Sequence, residues 1–142
     1  MDLFNYQPRH SHEVRIGNKP LGGLQPLRLQ SMTTTLTTDT EASVAQCIDI
    51  IKAGADYIRL TTQGLREAEN LKNIREALHR QGFDTPLVAD VHFNPRVAEA
   101  AAAIVEKVRI NPGNYVDPAR TFKELEYTDE EYAAELARLE DR

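Results

Sequence analysis

The 142-residue chain has a single cysteine, Cys47. One thiol rules out a disulfide framework, and with it any metal site built from several thiolates of this chain. No run of about 18 apolar residues is present, so no helix is expected to cross a membrane. Residues 1–15 are polar and contain no apolar signal core, so export is not expected and a cytoplasmic location is. There is no excess of positive charge either. Nine acidic against four basic residues between Asp117 and Arg142 account for the whole net charge of −5, leaving the rest neutral. A neutral body offers no field for a polyanion, which argues against nucleic-acid binding. What remains is 41% hydrophobic residues, enough for one packed core.

Glu13-Val14-Arg15-Ile16, a Gly17-Asn18 turn and Lys19-Pro20-Leu21 read as a hairpin, with Pro20 at an edge. Residues 1–26 are therefore assigned to a leader with its β-hairpin. A different rhythm follows. Leu27–Met32, Tyr57–Leu60, Leu87–Val91 and Val105–Ile110 read as strands. Between the first two, Thr38-Asp39-Thr40-Glu41 has the form of a capping box, Val44, Ile48 and Ile51 recur at helical spacing, and Gly54 closes the helix. A second helix spans Arg66–Arg80, with Gly82 after it. A third is expected over Pro95–Ala102, with Asn94 as cap and Pro95 in its first turn. Alternating strands and helices with short connections predict a parallel sheet. A complete (β/α)₈ barrel needs about 200 residues or more, so residues 27–116 would supply about the first four βα units of one. Residues 117–142 read as an acidic segment carrying a charged helix from Asp129, with Tyr132, Leu136 and Leu139 as a thin apolar stripe. This helix pattern is still running at Arg142, which predicts that the chain is an N-terminal piece of something longer.

Strand side chains alternate faces. That places Arg28 with Gln30, Arg59 with Thr61, Asp90 with His92, and Arg109 with Asn111. Leu29, Ile58, Leu60, Ala89, Val91, Phe93, Val108 and Ile110 fall on the opposite faces. A doubly wound sheet is covered by helices on both faces and should be apolar on both, whereas a barrel admits polar groups at its C-terminal mouth. The barrel is therefore the expected architecture. Arg59 and Arg109 are permanent, fork-shaped cations suited to phosphate. Asp90 and His92 could orient a hydroxyl or move a proton. Each residue alone reads more readily as a loop or cap group than as a ligand; four aligned strand ends point to a site for a small anion. His10 and His12 read as solvated, His79 as a helix-end residue, Cys47 as a packed thiol, and the threonines at positions 33–35, 37 and 38 as a polar loop.

Gln30-Ser31-Met32-Thr33, Ala53 to Arg59, Pro86 to Asn94 and Lys107 to Asn114 stand in an order that resembles the 4-hydroxy-3-methylbut-2-enyl diphosphate synthase family. The likeness is close over residues 13–116, and Leu125 to Glu131 resembles the long, three-domain branch. The family commonly has Asn at the position of Thr34. The resemblance implies a parent oxidoreductase of non-mevalonate isoprenoid biosynthesis that reductively opens 2-C-methyl-D-erythritol 2,4-cyclodiphosphate. It implies Arg59, Arg109, Asn111, Gln30 and Ser31 as substrate-binding residues, with Asp90 and His92 catalytic beside the ring. It also implies a [4Fe–4S] cluster whose ligands lie outside this chain, and ferredoxin or flavodoxin as electron donor. The fragment alone is expected to be inactive, and its open sheet edges would permit a homodimer. Two other readings are another diphosphate- or pterin-binding barrel of the dihydropteroate synthase kind, and a non-catalytic assembly module.

Overall fold

The computed structural model describes residues 9–115 and 126–140. Four strands, β1 (Gln30–Met32), β2 (Tyr57–Thr62), β3 (Leu87–Val91) and β4 (Lys107–Arg109), form one parallel sheet in the order β1-β2-β3-β4. Helices α1 (Thr40–Lys52), α2 (Leu65–Arg80) and α3 (Pro95–Ala102) connect them. A single 3₁₀ turn, Pro112–Asn114, follows β4, and α4 spans Asp129–Glu140.

The helices begin and end for local reasons. Asp39 caps α1, its carboxylate accepting the Ala42 N–H at 3.1 Å. The cap thus sits one residue after the expected Thr38, since aspartate is at least as good an N-cap as threonine. Gly54 (φ +99°) and Gly82 (φ +81°) follow α1 and α2 in paired return bonds: Gly54 N–H to Ile51 O with Ala55 N–H to Ile50 O, and Gly82 N–H to His79 O with Phe83 N–H to Leu78 O. Asn94 caps α3 through the Arg96 N–H at 3.1 Å, with Pro95 in the first turn as expected.

Two strands are shorter than the sequence suggests. The Asp56 carboxylate takes the Leu29 N–H at 3.0 Å, so the chain joins the ladder only at Gln30, and Leu27 stays 97% exposed. At β4, the Val105 N–H bonds back to Ala101 O, which keeps Val105 in the exit turn of α3. β2 is longer than expected, because Thr61 and Thr62 continue it against Asp90 and Val91. The expected hairpin narrows to one antiparallel bridge, Val14 with Leu21, because Pro20 has no N–H and Gly22 and Gly23 turn away at positive φ. Asp141 and Arg142, expected in the last helix, lie outside the described residues, as do residues 1–8 and 116–125.

All three crossover helices cover the same sheet face. Ile58, Leu60, Ala89 and Val91 pack there against Val44 and Cys47 of α1, Ala68, Leu71, Ile74 and Leu78 of α2, and Val97 and Ala101 of α3. Each such buried Leu or Ile contributes about 1.5–3 kcal/mol. Burial among these residues pushes the Cys47 thiol up to about 12, in keeping with a packed, unreactive group.

The other face divides by height. At its lower end the bridge segment supplies a floor: Ile16 packs on Tyr57 and Val88. The Tyr57 hydroxyl donates to Lys19 O, and Asn18 Nδ2 donates to Asp84. Asp56 ties the floor down through Lys19 (3.0 Å) and Arg28 (3.6 Å). Helices on one face and a plug at the base of the other give part of a barrel wall rather than a doubly wound sheet. No helix among the described residues is long and apolar enough to cross a membrane.

Candidate functional site

The ladder register decides which side chains share the upper inner face. Thr61, Asp90 and Arg109 form one row, and Met32, Arg59, Val88 and Lys107 form the row below it. Asp90 is the centre. Its Oδ2 receives Arg59 Nη2 at 2.6 Å and lies 3.3 Å from His92 Nε2, and its Oδ1 receives Arg109 Nη1 at 3.1 Å. Its side chain is only 4% exposed, whereas Arg59, His92 and Arg109 are 27%, 33% and 38% exposed. The carboxylate is buried beneath the groups it holds, and those groups face the open mouth.

Burial alone would push the Asp90 carboxyl up. Hydrogen bonds from Arg59 and His92, and their attraction, outweigh it and hold the carboxyl below the ordinary range. Two guanidinium groups against one carboxylate leave at least one net positive charge. Each arginine gives Asp90 one nitrogen and retains further donors. His92 Nε2 also lies 3.2 Å from Arg109 Nη1. One ring nitrogen cannot serve both neighbours in the same way. Protonated, Nε2 donates to Asp90; unprotonated, it accepts from Arg109.

Not every expected residue joins this cluster. Asn111 lies past the end of β4, and its Oδ1 accepts the Gly113 N–H at 3.1 Å, capping the 3₁₀ turn. Gln30 shares the inner face but is level with Tyr57, one row below Arg59. Ser31 is level with Ile58, on the face the helices cover. Phe93, expected to continue the apolar alternation, instead turns at φ +60° and stands 47% exposed. That sharp turn ends the strand period between His92 and the cap Asn94. The only forewarning in the sequence is the Asn94-Pro95 pair, which marks a chain reversal.

His10 and His12 are exposed. Among the described residues, no three His, Cys, Asp or Glu side chains gather as a metal site would require. Gln46, which periodicity treats as an ordinary position of α1, holds the Thr34 and Thr35 amides of the loop after β1.

A parallel sheet with helices on one face and a charged cluster at the carboxyl ends of its strands defines a section of a (β/α) barrel with its polar groups at the mouth. More specifically, residues 11–136 match the GcpE TIM-barrel domain, and the chain belongs to that family. Over all 142 residues it is 68% identical to the 4-hydroxy-3-methylbut-2-en-1-yl diphosphate synthase (flavodoxin) of Phocaeicola vulgatus. It is 66% identical, also over 142 residues, to the protein of the same name from Bacteroides fragilis. Over 137 residues it is 50% identical to that of Chlorobaculum tepidum. The chain spans 23% of the first two proteins and 18% of the third.

Proposed function

We propose that this chain is the first part of the substrate barrel of a 4-hydroxy-3-methylbut-2-en-1-yl diphosphate synthase. In this reading the parent enzyme reductively opens 2-C-methyl-D-erythritol 2,4-cyclodiphosphate in non-mevalonate isoprenoid synthesis, with flavodoxin as electron donor. The observation that carries the reading is the pairing of Arg59 and Arg109 on one buried carboxylate at the barrel mouth. Fixed guanidinium groups suit a diphosphate twice over. They bind its existing charge, and they stabilise the charge that develops on oxygen when the ring carbon–oxygen bond breaks. Because Asp90 sets both groups in advance, little reorganisation is needed at the moment of reaction.

The two residues expected to be catalytic then take different roles. Asp90 is the holding group, ionised and screened from solvent. His92 is the group that gives or takes a proton at the mouth, since Nε2 keeps a partner in either state. Asn111 offers substrate its amide nitrogen, because its oxygen is engaged by the Gly113 N–H. Gln30 and Ser31 belong to the rim only in the sense that β1 borders the mouth. The described residues do not fit a [4Fe–4S] cluster, since the one cysteine is buried with its thiol pushed up to about 12. In this reading its ligands lie elsewhere in the parent. In this reading residues 1–26 are a leader whose bridge segment floors the barrel, 27–116 the barrel part and 117–142 an acidic segment, and the remaining strands of the parent barrel close the edges at β1 and β4.

In the full-length protein, Arg59→Ala and Arg109→Ala should each weaken cyclodiphosphate binding by about 1.5–3 kcal/mol, as expected for hydrogen bonds to a charged group. Isothermal titration measures this directly. Unchanged affinity in both variants would remove the site assignment.

A further inference from the structure

The loop between β1 and α1 is held by side chains rather than by a ladder. Gln46, half-buried on α1, accepts two successive backbone N–H groups with a single oxygen: Thr34 N–H at 2.9 Å and Thr35 N–H at 3.2 Å. Its Nε2 donates to Thr34 Oγ1 at 3.0 Å. Ser43, three residues earlier on the same helix, donates to Leu36 O at 3.1 Å and contacts Thr35 Oγ1 at 3.1 Å. From the α2 side, Asn70 donates to Thr37 O at 2.8 Å.

The same loop is bonded to β2 at the site arginine and two residues beyond it. Thr33 N–H donates to Arg59 O at 3.0 Å, and Thr37 Oγ1 donates to Thr61 O at 2.6 Å. The segment that Gln46 fixes is therefore bonded to the strand end from which Arg59 projects. It lies at the carboxyl end of the sheet, the end that carries Asp90 and Arg109. Thr33 and Thr37 are buried at the two ends of the stretch, but Leu36 between them remains 77% exposed, so apolar packing does not hold its middle. Two adjacent amides converging on one acceptor form a small polarised cradle. Without that acceptor, neither amide has another partner among the described residues.

We propose that Gln46 is a positioning residue: by clamping the Thr34 and Thr35 amides it fixes the β1–α1 loop as a wall of the mouth and so sets Arg59 for the diphosphate. This rests on the functional reading above. The test uses two variants of the full-length protein. Gln46→Met keeps the length of the side chain and removes the acceptor. Gln46→Glu keeps the acceptor, and the Thr34 hydroxyl can donate to it.

Hydrogen–deuterium exchange of the peptide containing Thr34 and Thr35 should quicken in Gln46→Met, and the Kd for 2-C-methyl-D-erythritol 2,4-cyclodiphosphate should rise about 10- to 100-fold, as a small misplacement of a binding group produces. Gln46→Glu should restore both, and the Tm of all three proteins should agree. Faster exchange in Gln46→Met with unchanged Kd overturns the proposal while leaving the functional reading intact. A weakened Kd that Gln46→Glu fails to restore also overturns it. Failure of the unaltered protein to bind the cyclodiphosphate overturns the functional reading, and this proposal with it.

Discussion

Asp90 shows what one buried carboxylate can organise: two guanidinium groups and an imidazole meet on its two oxygens. Removing it would leave both arginines in a half-buried site facing each other. Asp90→Ala should therefore destabilise the protein by about 1–3 kcal/mol in urea titration, the cost of stranding such partners. The pH dependence has a definite sign. A carboxyl held below its ordinary value of about 4 stabilises the fold above that pH, and the contribution is lost as pH falls through the lower folded-state value. Asp56 acts the same way at the floor, where the Leu29 N–H and then Lys19 hold its carboxyl down. The urea midpoint should hence be flat from neutral pH to about 5 and drop below about 4. Asp90→Asn should flatten part of that drop, and Asp56 should sustain the rest. Strand alternation is enough to put Arg59, Asp90 and Arg109 each on the polar face of its strand. It could not show that Asp90 lies beneath the others, because burial depends on what neighbouring strands bring.

Local signals set the elements to within a residue or two where a cap or a glycine marks the end. Gly54 and Gly82 were legible because a helix that ends in a left-handed residue favours the side chain without a Cβ. No atom lies within 4 Å of a Cβ built at either position, so steric room is not the issue. Gly54→Ala and Gly82→Ala should each cost about 1 kcal/mol through the backbone alone, read as a shift in urea midpoint. The strand ends were less legible. β1 starts late because Asp56, a residue between elements, captures an amide that the apolar pattern assigned to the ladder. The family resemblance brings in Ser31 beside Gln30, whereas register puts neighbours on opposite faces. Asn111 continued the alternation on paper, but Pro112 bends the chain into a 3₁₀ turn that claims its oxygen. Gln46 had no sequence signal at all, since a polar residue in a helix carries no hint of the loop it will meet.

At the scale of the molecule the inner face is finished at one end and open at the other. The floor packs through Ile16, 4% exposed against Tyr57 and Val88, and is tied by the Val14–Leu21 bridge and by the contacts of Lys19, Arg28 and Asn18. Ile16→Ala should cost about 2–4 kcal/mol, the range for emptying such a site, and should loosen the Val14–Leu21 bridge in hydrogen exchange. The sequence marked this segment as a hairpin but not as a plug, because its partners are remote. Asn18 meets Asp84 across 66 positions, and a Cβ on Gly17 would come within 3.0 Å of Pro86 and 3.1 Å of Glu106. That distance along the chain has a consequence for biosynthesis. The ribosome delivers the plug before its socket, so the segment emerges with only Asp56 and Tyr57 to meet until the β3 and β4 stretches, with Val88, have followed it out of the exit tunnel. The base of the wall is thus sealed late in the translation of this region, by residues made near its beginning.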